Sequence, residues 1–403
     1  AYWFGKFVGS YLVTVFVLSG MLIGIILGTI MPWVEADKIA PFNVLVYWQP
    51  FTQIILPNVL IMGSIFFASG ALSRSMLVIY IQGIAFLVLY LVSNSMISDI
   101  ENSFAAALTD PIGINAFSYV TRYWTPIEKN SVFISWSSVI GLNRLVWLGL
   151  SAVIFALAYR RFTFSATAPS FFNRGKRTAV LESSPKSDIE VLGKKLDLFN
   201  VMPAFGFRTQ FIQWWAVTRF EFMAIIKSIP FLSIVFLGIF NLVNNLIYAN
   251  KLYGLQTYPV SSTMADMASD SFSLFIIIIV VFYTGELVWR ERTNRISQIA
   301  DAMPIQQNTL LAGKFTAMVL MLIVLQFSVM LTGMAMQAIK GYYDFQPDIY
   351  LKTLFVRDLW SYIVWVCVAF LVHTLANNKF MGHGIVILFA VLNTIVFAVM
   401  GWR

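Results

Sequence analysis

Apolar residues run along this chain in long unbroken stretches separated by short polar breaks, the pattern of membrane-spanning helices. Crossing a hydrocarbon core of about 30 Å takes about 20 helical residues. Nine segments reach roughly that length: 8–32, 51–72, 77–97, 142–159, 229–248, 271–289, 315–337, 358–376 and 383–402. A membrane β-barrel would alternate apolar and polar positions, whereas runs such as Phe275-Ile276-Ile277-Ile278-Ile279-Val280-Val281-Phe282 are continuous, so an all-α, polytopic transmembrane helical bundle is expected. The first run is too long for the apolar part of a signal peptide, about 7–15 residues, and has no A-x-A-like cleavage site, so it is read as a true span.

Composition agrees with this pattern. Of 403 residues, 59% are hydrophobic and 11% charged, against about 45–50% and about 25% in soluble domains, which excludes disorder and a secreted disulfide scaffold. The aromatic share of 16% suits interfacial belts. The lone cysteine, Cys367, lies in an apolar run and is read as inert packing.

Charge sets the orientation. With residues 1–7 inside and the spans alternating, the inside segments hold 18 of the 27 basic residues and 8 of the 19 acidic ones, counting Glu286 at the inner end of its span, as the positive-inside rule requires. The net charge of +8 therefore reflects topology, and no nucleic-acid partner is needed to explain it.

The longest polar stretch, 160–227, is read as a cytoplasmic linker. Its last part, from Phe211 to Phe222, sets aromatic residues at helical spacing beside Arg219 and Glu221, which suits a helix lying in the membrane interface. On either side the chain repeats itself. Gly5-Lys6-Phe7 and Gly313-Lys314-Phe315 each lead into a long span, and each is followed by a sparsely charged loop, a second span, a basic turn and a third span. The turns are Ser73-Arg74-Ser75 and Asn377-Asn378-Lys379. Residues 1–159 and 228–403 thus read as tandem copies of one bundle, the first without its opening spans and the second without its last, as in an excerpt from a longer chain.

Gly20, Gly24 and Gly28 leave one face of the first span without side chains, a signal for close helix packing or a subunit interface. The most informative stretch runs from Gly285 to Lys314. Glu286 and Arg290, then Glu291 and Arg295, stand four residues apart, so a helix can continue past the membrane with both pairs on its surface until Pro304 breaks it. The chain then returns into the next span, forming a charged hairpin at the inner surface.

Glu291-Arg292, Arg295, Pro304 and Gly313-Lys314 together resemble the coupling-helix segment of type-2 ABC exporter permeases (the ABC-2 family transmembrane domain). Asp110-Pro111-Ile112-Gly113-Ile114-Asn115, followed by Thr121 to Asn130, is similar to a segment of bacterial permeases fused to a thermolysin-like zinc aminopeptidase. Read from the residues alone, Asp110-Pro111 and Thr125-Pro126 fit turns or helix starts, and Tyr123 and Trp124 fit an interfacial belt. The resemblance implies two six-span half-permeases, both incomplete here, in a bacterial inner membrane. It also implies docking of an ATPase dimer that carries ATP and Mg, with Glu291, Arg292, Arg295, Asp301, Pro304, Gly313, Lys314, Gly5 and Lys6 at the coupling surface, and a possible aminopeptidase domain past Arg403.

No chemistry of its own is expected of the chain. It has no H-E-x-x-H and no G-x-x-x-x-G-K-[ST], and His373 and His383 alone cannot make a metal centre, so neither catalysis nor a bound cofactor or metal is assigned. Polar residues within spans, Gln53, Asn58, Asn241, Asn244, Asn245 and Asn393, are either interhelical hydrogen-bond glue or a substrate path. No clear intramembrane carboxylate argues for a proton-coupled carrier. The expected function is a permease subunit of an ATP-driven exporter. Its rivals are a membrane anchor for a peptidase or assembly, and an ion-coupled carrier.

Overall fold

Long helices separated by tight turns make up nearly all of the computed structural model, which describes residues 2–29, 31, 42–73, 76–97, 102–162, 206–248, 251–252, 255–256, 258–302 and 305–400. In chain order they are α1 (Tyr2–Gly28), α2 (Val44–Pro50), α3 (Leu56–Ser73), α4 (Met76–Met96), α5 (Ser103–Thr109), α6 (Ile114–Thr121), α7 (Pro126–Ser131) and α8 (Val139–Arg161). There follow α9 (Phe207–Ile226), α10 (Ile229–Tyr248), α11 (Ser261–Thr293), α12 (Ser297–Ala302), α13 (Gln307–Ile339), α14 (Pro347–Tyr350), α15 (Leu359–Leu375) and α16 (Lys379–Met400). Between α10 and α11 a two-residue antiparallel pair joins Lys251–Leu252 to Leu255–Gln256.

Among the described residues eight helical stretches are long and apolar enough to cross a membrane: Tyr2–Gly28, Val44–Ser73, Val78–Met96, Val139–Arg161, Ile229–Tyr248, Ser261–Thr293, Gln307–Ile339 and Pro347–Leu375. These match the first eight segments expected from the sequence. The ninth falls on α16, of which Lys379–Asn393 stands among the described residues as a shorter apolar helix. Several helices outrun their apolar runs. The second begins at Val44 instead of 51, where Asn43 caps it by accepting from the Leu45 N–H at 3.0 Å; Pro50 and Pro57 lie inside it, each removes a backbone donor, and the helix widens into a π-helical turn, Phe51–Ile55, between them. A second π-helical stretch, Leu351–Asp358, leads into α15, and the buried Gln326 amide donates to its Leu354 carbonyl at 3.1 Å.

Two compact units result. The first comprises residues 1–172, 233–272 and 331–347. Within it α3 packs on α8 and α1, and the short helices α5 and α6 pack on α8. Trp3 pins the start of α1 by ring contacts to Phe67, Phe155 and Phe162. Beyond that point α1 is exposed, as at Phe16 and Val17. At the opposite end of α8 the fully buried Arg144 donates to the Asn58 amide oxygen at 2.5 Å and, through Nε and Nη2, to Asn143 at 3.0 and 2.6 Å. Asn143 in turn donates to the carbonyls of Ala107 and Asp110. Asp110, also fully buried, accepts from the backbone N–H groups of Ile112 and Asn115 and so starts α6. Gly113, at φ +88°, lies against the Arg144 guanidinium, where a Cβ would collide with it. The Asp110 segment is therefore a buried knot tying α3, α5, α6 and α8 together. Thr125 opens α7 with a reciprocal capping box to Glu128, the helix start expected there.

The second unit comprises residues 173–232, 273–330 and 348–403. In it α15 packs on α16, with Val366, Ala369 and Phe370 buried. Of the expected linker 160–227, residues 163–205 lie outside the described set, as do Arg74 and Ser75 of the first basic turn. In the second turn Asn378 accepts from the Met381 N–H at 2.7 Å and caps α16.

Candidate coupling surface

The candidate surface is built on α9, α11, α13 and α16 of the second unit. Three ion pairs join them. Glu221 on α9 accepts from Arg290 on α11; Glu291 on α11 accepts from Lys314 on α13 at 2.6 Å; and Glu286 on α11 accepts from Lys379 on α16. The four-residue pairs expected within α11 do not form, because successive acidic positions on that helix each find a partner on a different neighbour. Lys314 is buried and also donates to the Leu287 carbonyl at 2.8 Å, so its charge is satisfied within the bundle.

Helix α9 is held tightly against this frame. Trp214 donates from its indole to Thr316 at 3.2 Å, and Thr218 donates to the carbonyls of Trp214 and Gly313. Gly313 makes that approach possible: a Cβ there would stand 2.7 Å from a Val217 methyl. The outer face of α9 exposes Phe211, Ile212, Trp215 and Phe220. Thr218 and Glu221 thus point inward, while aromatic residues share the outer face with the exposed Arg208 and Arg219, as suits a helix whose outer side meets the membrane interface. Burial pushes the Glu221 carboxyl above the ordinary carboxylate range, more than Arg290 and Lys314 pull it down.

Past the ion pairs α11 stops at Thr293, not at Pro304 as its spacing suggested. Arg295 takes a left-handed conformation, φ +57°. The Ile296 N–H bonds to the Glu291 carbonyl at 3.0 Å and the Arg295 N–H to the Arg292 carbonyl at 3.2 Å, the two bonds of a Schellman cap. The short α12 follows. Arg292, Arg295, Ile296 and Ile299 are exposed on this cap and on α12, with Arg292 lying 5.0 Å from the Trp289 ring centroid. Asp301 falls in α12, and Pro304 lies outside the described residues.

Gly285 and Gly382 make room for His373 and His383, whose ring centroids are 4.8 Å apart. His373 is buried with neither ring nitrogen hydrogen-bonded, and His383 bonds through Nδ1 to the Val281 carbonyl at 3.1 Å. No group of three or more metal-ligating side chains occurs among the described residues. Cys367, expected to be packing, is exposed on α15.

In the first unit Gly5 and Lys6 are exposed on α1, with Lys6 5.8 Å from the Tyr2 ring centroid. Gly20, Gly24 and Gly28 have nothing within 4 Å of where a Cβ would stand, so the close packing their spacing invites is not made here. Most of the polar residues in the spans tie one segment to another, while Asn245 bonds within α10. Gln53 donates to the Ile134 carbonyl, Asn58 to Ile112, Asn241 to Ser271, Asn244 to the Ser95 hydroxyl and Asn245 to Asn241. Asn393 is half-buried on α16. The Asn241 amide oxygen is buried without a partner.

Sequence reasoning passed over Arg144, although a charge three residues into an expected span is itself a signal. It noted Glu221 and Lys379 without their partners. Long apolar helices with ion pairs gathered where they leave the apolar zone define a multi-pass helical membrane protein. No protein-family model, curated protein or solved structure matches this chain.

Proposed function

We propose that the chain is the membrane part of an ATP-driven exporter of the type-2 ABC class, built as two tandem half-permeases, 1–159 and 228–403, in a bacterial inner membrane. The observation that carries the reading is the Schellman-capped elbow from Arg290 to Ala302. It presents two cations, Arg292 and Arg295, beside two apolar side chains, Ile296 and Ile299, while Glu221, Glu286 and Glu291 are held in ion pairs.

A surface that transmits force must be exposed on top and rigid underneath. Ion pairs to α9, α13 and α16 supply the rigidity, and the exposed arginines and isoleucines supply the contact. Closure of an ATPase dimer, which would hold ATP and Mg, would press on this elbow and rock the bundle between inward- and outward-open states. Gly5 and Lys6 would mark the same boundary in the first half.

The experiment is a double charge reversal, Arg292→Glu with Arg295→Glu, in the protein co-expressed with its candidate ATPase. Transport-stimulated ATP hydrolysis should be lost while the helical content and elution volume stay unchanged. Unaltered stimulation would overturn the assignment and leave the membrane-anchor reading.

A further inference from the structure

One face of α9 is bonded to the bundle and the opposite face is not. Trp214 bonds to Thr316, Thr218 to the Gly313 carbonyl and Glu221 to Arg290. These three partners lie within about three turns of the inner ends of α13 and α11. With the orientation that the basic residues set, α9 therefore sits at the depth of the inner-leaflet head groups. The face it turns away from the bundle meets lipid at that depth.

That outer face carries a shallow groove of about 550 Å³. Two rows of residues at four-residue spacing line it, Arg219-Met223-Lys227 and Ala216-Phe220-Ala224. In the first row a cation stands one turn to either side of Met223. In the second, two alanines leave room on either side of the Phe220 ring. Arg219, Phe220, Met223 and Lys227 are all exposed, and among the described residues neither cation pairs with a carboxylate. The one acidic residue of α9, Glu221, faces inward and is taken by Arg290. Arg208, eleven residues before Arg219 and so on nearly the same side of the helix, adds a third exposed cation.

A cationic row beside an apolar one, both at head-group depth, selects its partner by charge. A soluble anion would leave Phe220 and the alanines in water. A zwitterionic head group would bring its own ammonium toward the two cations already there. A head group of net negative charge meets both rows without that conflict.

We propose that the outer face of α9 binds an anionic phospholipid of the inner leaflet, its phosphate between Arg219 and Lys227 over Met223 and its first acyl carbons against Phe220. The inference needs α9 at the inner boundary and no ATPase, so its failure would leave the exporter reading standing.

The test places a diazirine amino acid at position 223 of the full chain, in vesicles of equal parts phosphatidylcholine and phosphatidylglycerol, and weighs the photo-adducts. Phosphatidylglycerol adducts should exceed phosphatidylcholine adducts at least about tenfold, two cations at a membrane surface being worth about thirtyfold at full effect. Arg219→Gln with Lys227→Gln should bring the two lipids close to parity. Lys352→Gln, at an exposed lysine on the other side of the membrane, should leave the excess unchanged. Should the double variant fail to fold, the excess in the parent should collapse at about 1 M salt, where the Debye length is about 3 Å, and an excess indifferent to salt would overturn the proposal. Equal capture of the two lipids by the parent, an excess that survives in the folded double variant, or crosslinks to protein in place of lipid would each overturn it as well.

Discussion

Lys314 reaches from α13 across to α11 and donates to the Glu291 carboxylate at 2.6 Å and the Leu287 carbonyl at 2.8 Å. Two residues that read in sequence as a docking charge and a membrane-boundary lysine are thus partners of each other. The base of the elbow is fixed by them, and Arg292, Arg295, Ile296 and Ile299 are the side chains left exposed on it.

Removing the lysine should loosen that base. Lys314→Met strips Glu291 of its partner and should lower unfolding free energy by about 1–3 kcal/mol, the range for a hydrogen bond to a charged group whose loss strands its partner. Reversible unfolding in mixed micelles measures it. Glu291→Gln, which keeps an acceptor for the ammonium, should cost less.

Gly313 has a separate role. Val217 is β-branched and stiff at χ1, so it cannot rotate away from a new methyl 2.7 Å distant. Gly313→Ala should therefore push α9 off α13 and destabilise by about 1–3 kcal/mol. A cysteine pair bridging α9 and α13 should then crosslink more slowly than in the parent.

The left-handed cap separates folding from coupling. Arg295 tolerates φ +57° only at a cost of about 1–2 kcal/mol that glycine does not bear. Arg295→Gly should therefore leave thermal stability unchanged or raised while weakening ATPase stimulation. A fall in both would make Arg295 a structural residue.

The Arg144 knot is buried and hydrogen-bonded throughout. Arg144→Met leaves the Asn58 and Asn143 amide oxygens without their donor and should destabilise by about 1–3 kcal/mol. Lysine, a point charge without the planar fork that spans Asn58 and Asn143, should not rescue it. Unfolding of the two variants side by side reads the difference.

Two carboxylates should respond to pH with opposite sign. Burial raises Glu221, so its contribution to stability is fully present below the unfolded carboxylate pKa and is lost as pH rises through the raised folded value. Glu128 is lowered by hydrogen bonds from the Thr125 backbone and side chain, so its contribution is present above the unfolded pKa and is lost as pH falls through the lowered one. Glu221→Gln should flatten the stability profile above the ordinary carboxylate range, and Glu128→Gln below it. Unfolding across a pH series distinguishes them.

The positions of the eight long apolar helices were legible from the runs of apolar residues, because lipid demands length and hydrocarbon and little else. The helix start at Pro126 was legible too, from Thr125 and Glu128. What the spacing misjudged was partnership. A four-residue interval between Glu286 and Arg290, or between Glu291 and Arg295, places charges on one helix face but does not say whether water or another helix lies beside it. Here α9, α13 and α16 lie there, and tertiary partners win. The helix stop at Thr293 was equally hidden, since its left-handed residue is an arginine where glycine usually gives the signal.

On the proposed function, the elbow from Arg290 to Ala302 receives force from a nucleotide-hydrolysing partner. A photo-crosslinking amino acid placed at the exposed Ile299, activated in intact cells, tests it directly. The account predicts covalent capture of an ATPase subunit carrying a P-loop, with capture lost when Arg292 and Arg295 are reversed to glutamate. Efficient activation with no such subunit captured would contradict it.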